Sequence, residues 1–269
     1  MLLSLRASIP AVDRLEVSSE MHESIRIESL EKFLEHVSSD SMLIRRVAYR
    51  GQGKDDPLIP TLFRKGHACD LEGYNWRSYE QTVLRIFQSH GVSALACEPS
   101  NVTDWIVMAQ HHGVPTRILD WSSSPLHALY FAVEECDETT DGVVWMNEFS
   151  RIRLQPYKNN SKLSEIETVQ LYFPKHEDPR ITAQNGCVTL HPLPADGSEF
   201  QPYVPSGGES STPIKFIVPG CLKEKILFKL DDMGVNMHSI YPDLDGLGRY
   251  IKHRIRRRRF VNEWHTLTK

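Results

Sequence analysis

The chain has 269 residues, of which 40% are hydrophobic and 25% charged, and its formal net charge is −4. This length fits one large domain or two small ones, and the composition is ordinary for a globular protein. No apolar run approaches the roughly 18 residues of a membrane span. The N-terminal stretch is too short and too charged to predict a signal peptide. The acidic balance disfavours a dedicated nucleic-acid binder.

Cysteine and histidine usage bears on redox environment and metal binding. The five cysteines are odd in number and lack C-x-x-C spacing, which favours a reducing cytosol and no disulfide framework. The histidines form no H-E-x-x-H motif, and His111 and His112 are adjacent, so their side chains diverge on a helix or strand. We therefore expect a cytoplasmic protein without a metal site.

The basic residues are concentrated near the C-terminus, where the stretch 252–259 reads KHRIRRRR. One interpretation is a solvated helix face whose cations suit the negative C-terminal end of the helix. A second is a phosphate or nucleic-acid contact, which would make binding steeply salt-dependent. A third is a contact between subunits.

Hydrophobic periodicity, caps and turn residues predict an α+β chain, because strands and helices interleave without strict alternation. We expect an N-terminal arm over 1–24 and a single domain over 25–269. This domain would carry a Pro-, Gly- and Ser-rich surface loop at about 190–213 and a basic C-terminal helix. The predicted strands lie near 25–27, 47–51, 116–121, 142–146, 187–188 and 214–218. The predicted helices lie near 30–37, 76–89, 103–112, 125–133, 161–171, 221–233 and 243–259.

The stretch 110–133, QHHGVPTRILDWSSSPLHALYFAV, combines a polar half and an apolar half. In the apolar half, Ser124 and Pro125 predict a helix start, and the residues that follow have the spacing of a buried helix. In the polar half, Trp121 can stack on a flat ring. The N–H groups at the start of the helix, near residues 122–126, can hold an anion.

Strand alternation in the polar half places Arg117 and Asp120 on opposite faces. With Gln110 and His111 before them, they predict one wall of a ligand cleft. The alternative is structural: Arg117 and Asp120 form ion pairs, and Ser124 only caps the helix.

A second candidate group is the strand end 49–52, YRGQ. The Arg50 guanidinium can hold a phosphate through two donors, and Gly51 allows close approach of backbone and ligand. A surface ion pair on a strand is the plainer alternative. A third group is the Gln-Asn-Gly sequence 184–186, which predicts a turn entering a strand.

These segments together resemble the FRG domain family. The resemblance covers about residues 26–255, and the long central motif is the most specific part. The matching segments are 49–52 (YRGQ), 60–64 (PTLFR), 110–121 (QHHGVPTRILDW), 125–132, 180–186 and 241–247 (YPDLDGL). Bacterial conflict or toxin-like roles fit this resemblance.

The chain is also similar, more loosely, to ADP-ribosyltransferases of the arginine–serine–glutamate type. Arg50 matches the arginine element, and the serine run 122–124 with the following helix resembles the serine element. The resemblance implies a split mixed sheet with flanking helices, and NAD as the substrate. The glutamate element is replaced by Gln184, so the charge at the sugar would come from Asp120 or from Glu199.

The resemblance implies roles for ten residues. Arg50 and Arg117 would hold phosphates, Tyr49 or Trp121 would stack on the nicotinamide, and Ser122 would hold the ribose. Asp120 or Gln184 would act at the sugar, with Gly51, Gln52 and His111 lining the site. The chain would cleave the nicotinamide–ribose bond and pass ADP-ribose to water or to a protein or nucleic-acid acceptor. A non-catalytic nucleotide sensor and a nucleic-acid-associated protein are the alternatives.

Overall fold

The computed structural model describes eight stretches of the chain. These are residues 22–38, 47–64, 75–95, 98–149, 166–174, 182–195, 198–205 and 213–256. Strands and helices interleave along them, so the α+β prediction is confirmed. None of the helices within these stretches is long and apolar enough to cross a membrane.

Seven strands form one mixed sheet in the order β1-β7-β4-β2-β3-β6-β5. The strands are β1 (Glu23–Arg26), β2 (Val47–Gln52), β3 (Ile118–Ser122), β4 (Gly142–Glu148), β5 (Gln170–Tyr172), β6 (Gly186–Leu190) and β7 (Ile214–Val218). The β1–β7 pair is parallel and the other neighbours are antiparallel. The first strand therefore begins two residues earlier than the predicted domain boundary.

The described stretches contain seven α-helices, and five of them start after a residue whose side chain caps the helix. They are α1 (Leu30–Val37), α2 (Trp76–Gly91), α3 (Val102–His111), α4 (Pro125–Val133), α5 (Gly220–Asp232), α6 (Met237–Ile240) and α7 (Leu244–Arg256). The side chains of Ser29, Asn101 and Ser124 accept backbone N–H bonds as N-caps. Gly113 adopts φ 77° just past the end of α3, a conformation that favours glycine at a helix C-terminus.

Helix α4 lies directly on the sheet because two glycines let the backbones meet. A Cβ on Gly51 would lie 1.7 Å from the carbonyl oxygen of Ala128, and one on Gly142 would lie 2.3 Å from that of Ala132. The apolar side of α4 joins the main core, where Tyr49, Leu129 and Phe216 are buried. The glycine of the YRGQ segment is thus required for helix packing.

Helix α3 lies on the same face of the sheet as α4, but it packs over β3 and β6. It buries Ile106 and Val107 against Ile118 and Val188. The opposite face carries a separate apolar cluster that includes Leu119, Trp121, Trp145 and Cys187.

The sheet is almost split between β2 and β3. These strands are in register at the single pair Tyr49–Ser122, whereas β2 and β4 are in register at six positions, from Val47 to Gln52. Because β2 and β3 diverge beyond that pair, a gap opens between α3 on one side and α4 on the other.

One predicted helix, at 161–171, is wrong over its described part. Residues 161–165 lie outside the described residues, and Gln170–Tyr172 forms β5. The strand pairs with β6 and buries Leu171 and Tyr172, so sheet pairing overrides the local helical pattern. The described residues of the 190–213 segment after Leu190 contain no helix or strand, as a loop requires.

Candidate functional site

A cleft of about 410 Å³ lies over the β2–β3 gap, between the last turns of α3 and α4. Its volume is within the range of small-molecule sites. Nine of the ten residues predicted from the sequence line it, and Arg117 is the exception. The lining consists of Tyr49, Arg50, Gly51, Gln52, Gly53, Val107, Gln110, His111, Asp120, Trp121, Ser122, Phe131, Glu134, Glu135, Pro174, Gln184, Gly186, Cys187, Val188 and Tyr241.

Arg50 reaches the gap from the opposite face of the sheet. Its Nη1 donates a 2.6 Å hydrogen bond to the backbone oxygen of Asp120, and its buried Nε has no acceptor among the described residues. Desolvation lowers the pKa of the guanidinium, the negative charge of Asp120 raises it, and the nearby positive charge of Arg64 lowers it. A buried donor without an acceptor is costly, which suits a site that accepts an anionic ligand.

Asp120 occupies the centre of the cleft wall. Its side chain is exposed, and its Oδ2 accepts a 2.8 Å hydrogen bond from Nε2 of Gln110. This contact orients the carboxylate and leaves its other oxygen available for a ligand. Gln110 and Asp120 thus lie side by side in the lining and are joined by a hydrogen bond.

Three further predicted residues contribute to the lining in different ways. The Oε1 atom of Gln52 is buried without a hydrogen-bond partner among the described residues, so it can accept a bond from a ligand hydroxyl. His111 is half-buried, and its ring lies edge-on to that of His112. Tyr49 is part of the main core, and burial raises the pKa of its hydroxyl to about 12.

Arg117 does not belong to the site, and its predicted role in phosphate binding is wrong. The side chain is only 2% exposed and forms a bidentate ion pair with the buried Glu80 on α2. Arg117 directly precedes β3, and its guanidinium is held by Glu80 of α2 instead of facing the cleft. The structural alternative holds for this residue.

Trp121 is likewise a core residue, although its position borders the cleft. The ring is 3% exposed, packs in the cluster on the opposite face, and lies edge-on to Phe149 and Tyr203. Its Nε1 donates to Oγ1 of Thr189 at 2.9 Å. The indole is therefore almost fully buried, which leaves too little of its ring exposed for the predicted stacking on nicotinamide.

Ser122 is part of the connection between β3 and the turn before β6. Its buried hydroxyl donates to the backbone oxygen of Gln184 at 2.7 Å and accepts from the backbone N–H of Ser124 at 3.0 Å. The Ser123 N–H donates to the carbonyl of Asn185, and the His127 N–H donates to Oγ of Ser124. The N–H groups of Ser123, Ser124 and His127 are thus used within the protein and are not available to the anion predicted there.

Gln184 lines the cleft from the turn that enters β6. Its backbone oxygen accepts from Ser122, and its Nε2 donates to the carbonyl of Ile240 at 3.3 Å. The turn has the predicted form, with Asn185 at φ 48° before Gly186. The side-chain oxygen of Gln184 is the group that can still meet a ligand. Glu199 is exposed and lies outside the lining.

Glu134 and Glu135, which follow the last turn of α4, were not predicted as site residues. Burial raises the pKa of Glu134 to about 7, while a hydrogen bond from the Tyr241 hydroxyl opposes the shift. Phe131 and Tyr241 also line the cleft, with their rings edge-to-face at 6.5 Å. Two acidic residues directly after an inward-facing apolar helix were the sequence signal for this wall.

The cleft carries three carboxylates, those of Asp120, Glu134 and Glu135. They are not arranged as metal ligands, and no group of three or more His, Cys, Asp or Glu residues in the described stretches is so arranged. Beneath Arg50, burial and the positive charge of that residue lower the pKa of His191 to about 3, so His191 is neutral and adds no charge. The site therefore combines one guanidinium with three carboxyl groups, of which that of Glu134 is partly protonated at neutral pH.

The fold and site define an α+β protein with a polar cleft at a gap in a seven-stranded mixed sheet. Residues 45–141 match the family model of the FRG domain, which supports the FRG family. The match covers about a third of the chain and contains the YRGQ segment, the central motif and α4. Gln184 and Tyr241 lie outside it. No curated protein and no solved structure matches the chain.

Proposed function

We propose that the chain binds NAD in the cleft and cleaves its nicotinamide–ribose bond, as ADP-ribosyltransferases and NAD glycohydrolases do. The observation that carries this proposal is the combination of charges in one cleft. Arg50 offers a partly unsatisfied guanidinium, while Asp120, Glu134 and Glu135 offer carboxylates. NAD needs both, because its diphosphate is anionic and its nicotinamide ring is cationic.

The backbone supports the same division of charge. Helices α3 and α4 both point their C-terminal ends at the cleft, and helix C-termini carry partial negative charge. This favours the cationic ring and the positive sugar that forms as nicotinamide leaves. Arg50, with Arg64 nearby, supplies the positive charge for the diphosphate. The near-split between β2 and β3 supports the likeness to ADP-ribosyltransferases.

The structure changes some of the roles expected from the resemblance. Trp121 and Ser122 are engaged by the protein, so Phe131 and Tyr241 are the aromatic rings placed to contact the nicotinamide. Asp120 keeps a free carboxylate oxygen toward the sugar, and Gln52 keeps an acceptor for a ribose hydroxyl. Electrostatic stabilisation of this kind contributes up to roughly 4 kcal/mol per group.

A nucleotide sensor without turnover is the second candidate. One observation favours it: the hydroxyl of Ser122 and the amide nitrogen of Gln184 are both used in internal hydrogen bonds. The two groups expected to act on the ribose are thus used in bonds to the turn before β6 and to Ile240. A sensor would retain binding through Arg50 and would release no nicotinamide.

The deciding experiment measures nicotinamide release from NAD and ADP-ribose binding on the same preparations. We compare the wild type with Arg50→Ala and with Arg26→Ala as the control. Arg26 is an exposed strand arginine that pairs with Asp141 far from the cleft. Release lost in Arg50→Ala alone supports the enzyme, and binding without release supports the sensor. Neither binding nor release from the wild type would contradict both.

A further inference from the structure

Glu134 borders two cavities, of which Arg50 and Asp120 line only the cleft. It is the C-cap residue of α4 and lines the cleft, and it also borders a smaller cavity of about 30 Å³ behind the helix. Its side chain is half-buried. A carboxyl group so placed is in contact with the ligand space and is partly withdrawn from water.

The contacts of Glu134 hold it in place without neutralising it. The Tyr241 hydroxyl donates to its Oε2 at 3.4 Å, and Arg249 stacks on the Tyr241 ring at 4.6 Å from the ring centroid. The charge of Arg249 lowers the pKa of Glu134, and the effect of burial outweighs it. Glu135, next in the chain, adds a like charge that disfavours ionisation. Such a carboxyl exchanges a proton more readily near neutral pH than one held in an ion pair.

We propose that Glu134 is the general base of the cleft and takes the proton from the water that attacks the ribose as nicotinamide leaves. This inference rests on the proposed function and specifies its acceptor as water. Asp120 then serves as the fixed charge near the sugar, and Gln184 as a neutral contact.

The step balances without a redox partner. The bond from the ribose C1′ to the nicotinamide nitrogen breaks, and its electron pair stays on the nitrogen, so nicotinamide leaves neutral. The water oxygen forms the new bond to C1′. Its proton passes to the Glu134 carboxylate and then to solvent. The products are nicotinamide, ADP-ribose and one proton.

Several charged or titratable groups face Glu134 and can affect a pH profile. They are Tyr130, Glu135, Asp231, Tyr241, Arg249, His253 and Arg254. The pH limb is therefore assigned by substitution of Glu134 and not by its midpoint.

The test measures steady-state nicotinamide release between pH 5 and 9 for the wild type, Glu134→Gln and Glu134→Asp. Glu138→Gln is the matched control, because Glu138 is exposed and lies outside the cleft lining. We expect the wild-type kcat to rise with pH through about 7. Glu134→Gln should lower kcat by at least about 100-fold and abolish that rise, with ADP-ribose affinity retained.

Each outcome bears on a different claim. Release by Glu134→Gln at the wild-type rate, with the same pH limb, overturns the role of Glu134 and leaves the proposed function standing. No release from the wild type overturns both. Where Glu134→Gln fails to bind ADP-ribose, Glu134→Asp decides. Glu134→Asp should keep a reduced, pH-dependent rate. If Glu134→Asp shows the same rate and pH profile as the wild type, the inference is overturned.

Discussion

Arg50 and Asp120 are joined across the gap in the sheet by one hydrogen bond. The Nη1 atom of Arg50 donates to the Asp120 carbonyl at 2.6 Å, beyond the single register pair Tyr49–Ser122. A side chain thus satisfies a carbonyl at the point where the two strands diverge. The same guanidinium is both a structural tie across the gap and the cation of the cleft.

The first prediction concerns the shape of that cation. Arg50→Ala should weaken ADP-ribose binding by about 10- to 100-fold, because a charge-assisted hydrogen bond is lost. Arg50→Lys should weaken it by about tenfold, since an ammonium keeps the charge but not the planar fork. Isothermal titration with ADP-ribose measures both. Wild-type affinity in Arg50→Ala would remove Arg50 from the binding site.

The second prediction concerns the glycine that follows Arg50. Gly51→Ala places a methyl group 1.7 Å from the carbonyl oxygen of Ala128. That oxygen belongs to the backbone of α4 and cannot move without disturbing the helix. We expect a loss of about 3 kcal/mol or more in the free energy of unfolding. Gly53→Ala is the control, because its new Cβ would meet the Glu135 side chain at 3.3 Å. Urea denaturation distinguishes the two, and equal stability would contradict the close packing of α4.

Local signals in the sequence predicted most helices and strands and nine of the residues that line the cleft. Ser29, Asn101 and Ser124 cap helices where their types and positions indicate, because capping depends on neighbouring residues. Arg50 and Asp120 come together because β2 and β3 are antiparallel neighbours paired at Tyr49–Ser122, which places the end of β2 beside the middle of β3.

Errors arose where the environment of a side chain depends on distant parts of the chain. Arg117 pairs with Glu80, which lies 37 positions earlier in helix α2. Trp121 is covered by residues from the other face of the sheet, and Gly51 is required by a helix that begins far along the chain. Glu134 was missed because its withdrawal from water depends on Tyr241, 107 positions later. Strand alternation gives the face of a side chain and not what covers it.

The third prediction concerns the buried ion pair of Arg117 and Glu80. Glu80→Gln leaves a buried guanidinium without its carboxylate partner and should lower the free energy of unfolding by about 3–5 kcal/mol. Glu35→Gln is the control, because Glu35 pairs with Lys32 on an exposed helix face and should change stability by less than about 1 kcal/mol. Chemical denaturation measures both. A small effect of Glu80→Gln would show that the pair is solvated.

The fourth prediction separates two adjacent serines. Ser122→Ala removes a buried hydroxyl that bridges the Gln184 carbonyl and the Ser124 N–H, and should cost about 1–3 kcal/mol of stability. Ser123→Ala removes an exposed hydroxyl with a 3.3 Å contact to Asn185 and should cost less than about 0.5 kcal/mol. Thermal or urea unfolding compares them. Equal effects would contradict the assignment of Ser122 as the tie between β3 and the turn.

The fifth prediction concerns the dependence of stability on pH. The pKa of Glu134 is raised from 4.5 to about 7 in the folded chain. Between these values the folded chain holds a proton that the unfolded chain has released, so this group's contribution to stability falls as pH rises and is constant above about 7. Glu134→Gln cannot ionise and should therefore gain stability relative to the wild type from pH 5 to pH 8.

Urea denaturation of both chains at several pH values measures that gain as a difference. The difference matters because His191 acts in the opposite sense. Burial lowers its pKa from 6.5 to about 3, so its contribution is lost as pH falls through that window. His191 is present in both chains, and its effect cancels. A difference that stays constant from pH 5 to pH 8 would place Glu134 in contact with water, and a base of ordinary pKa would then be required in the cleft.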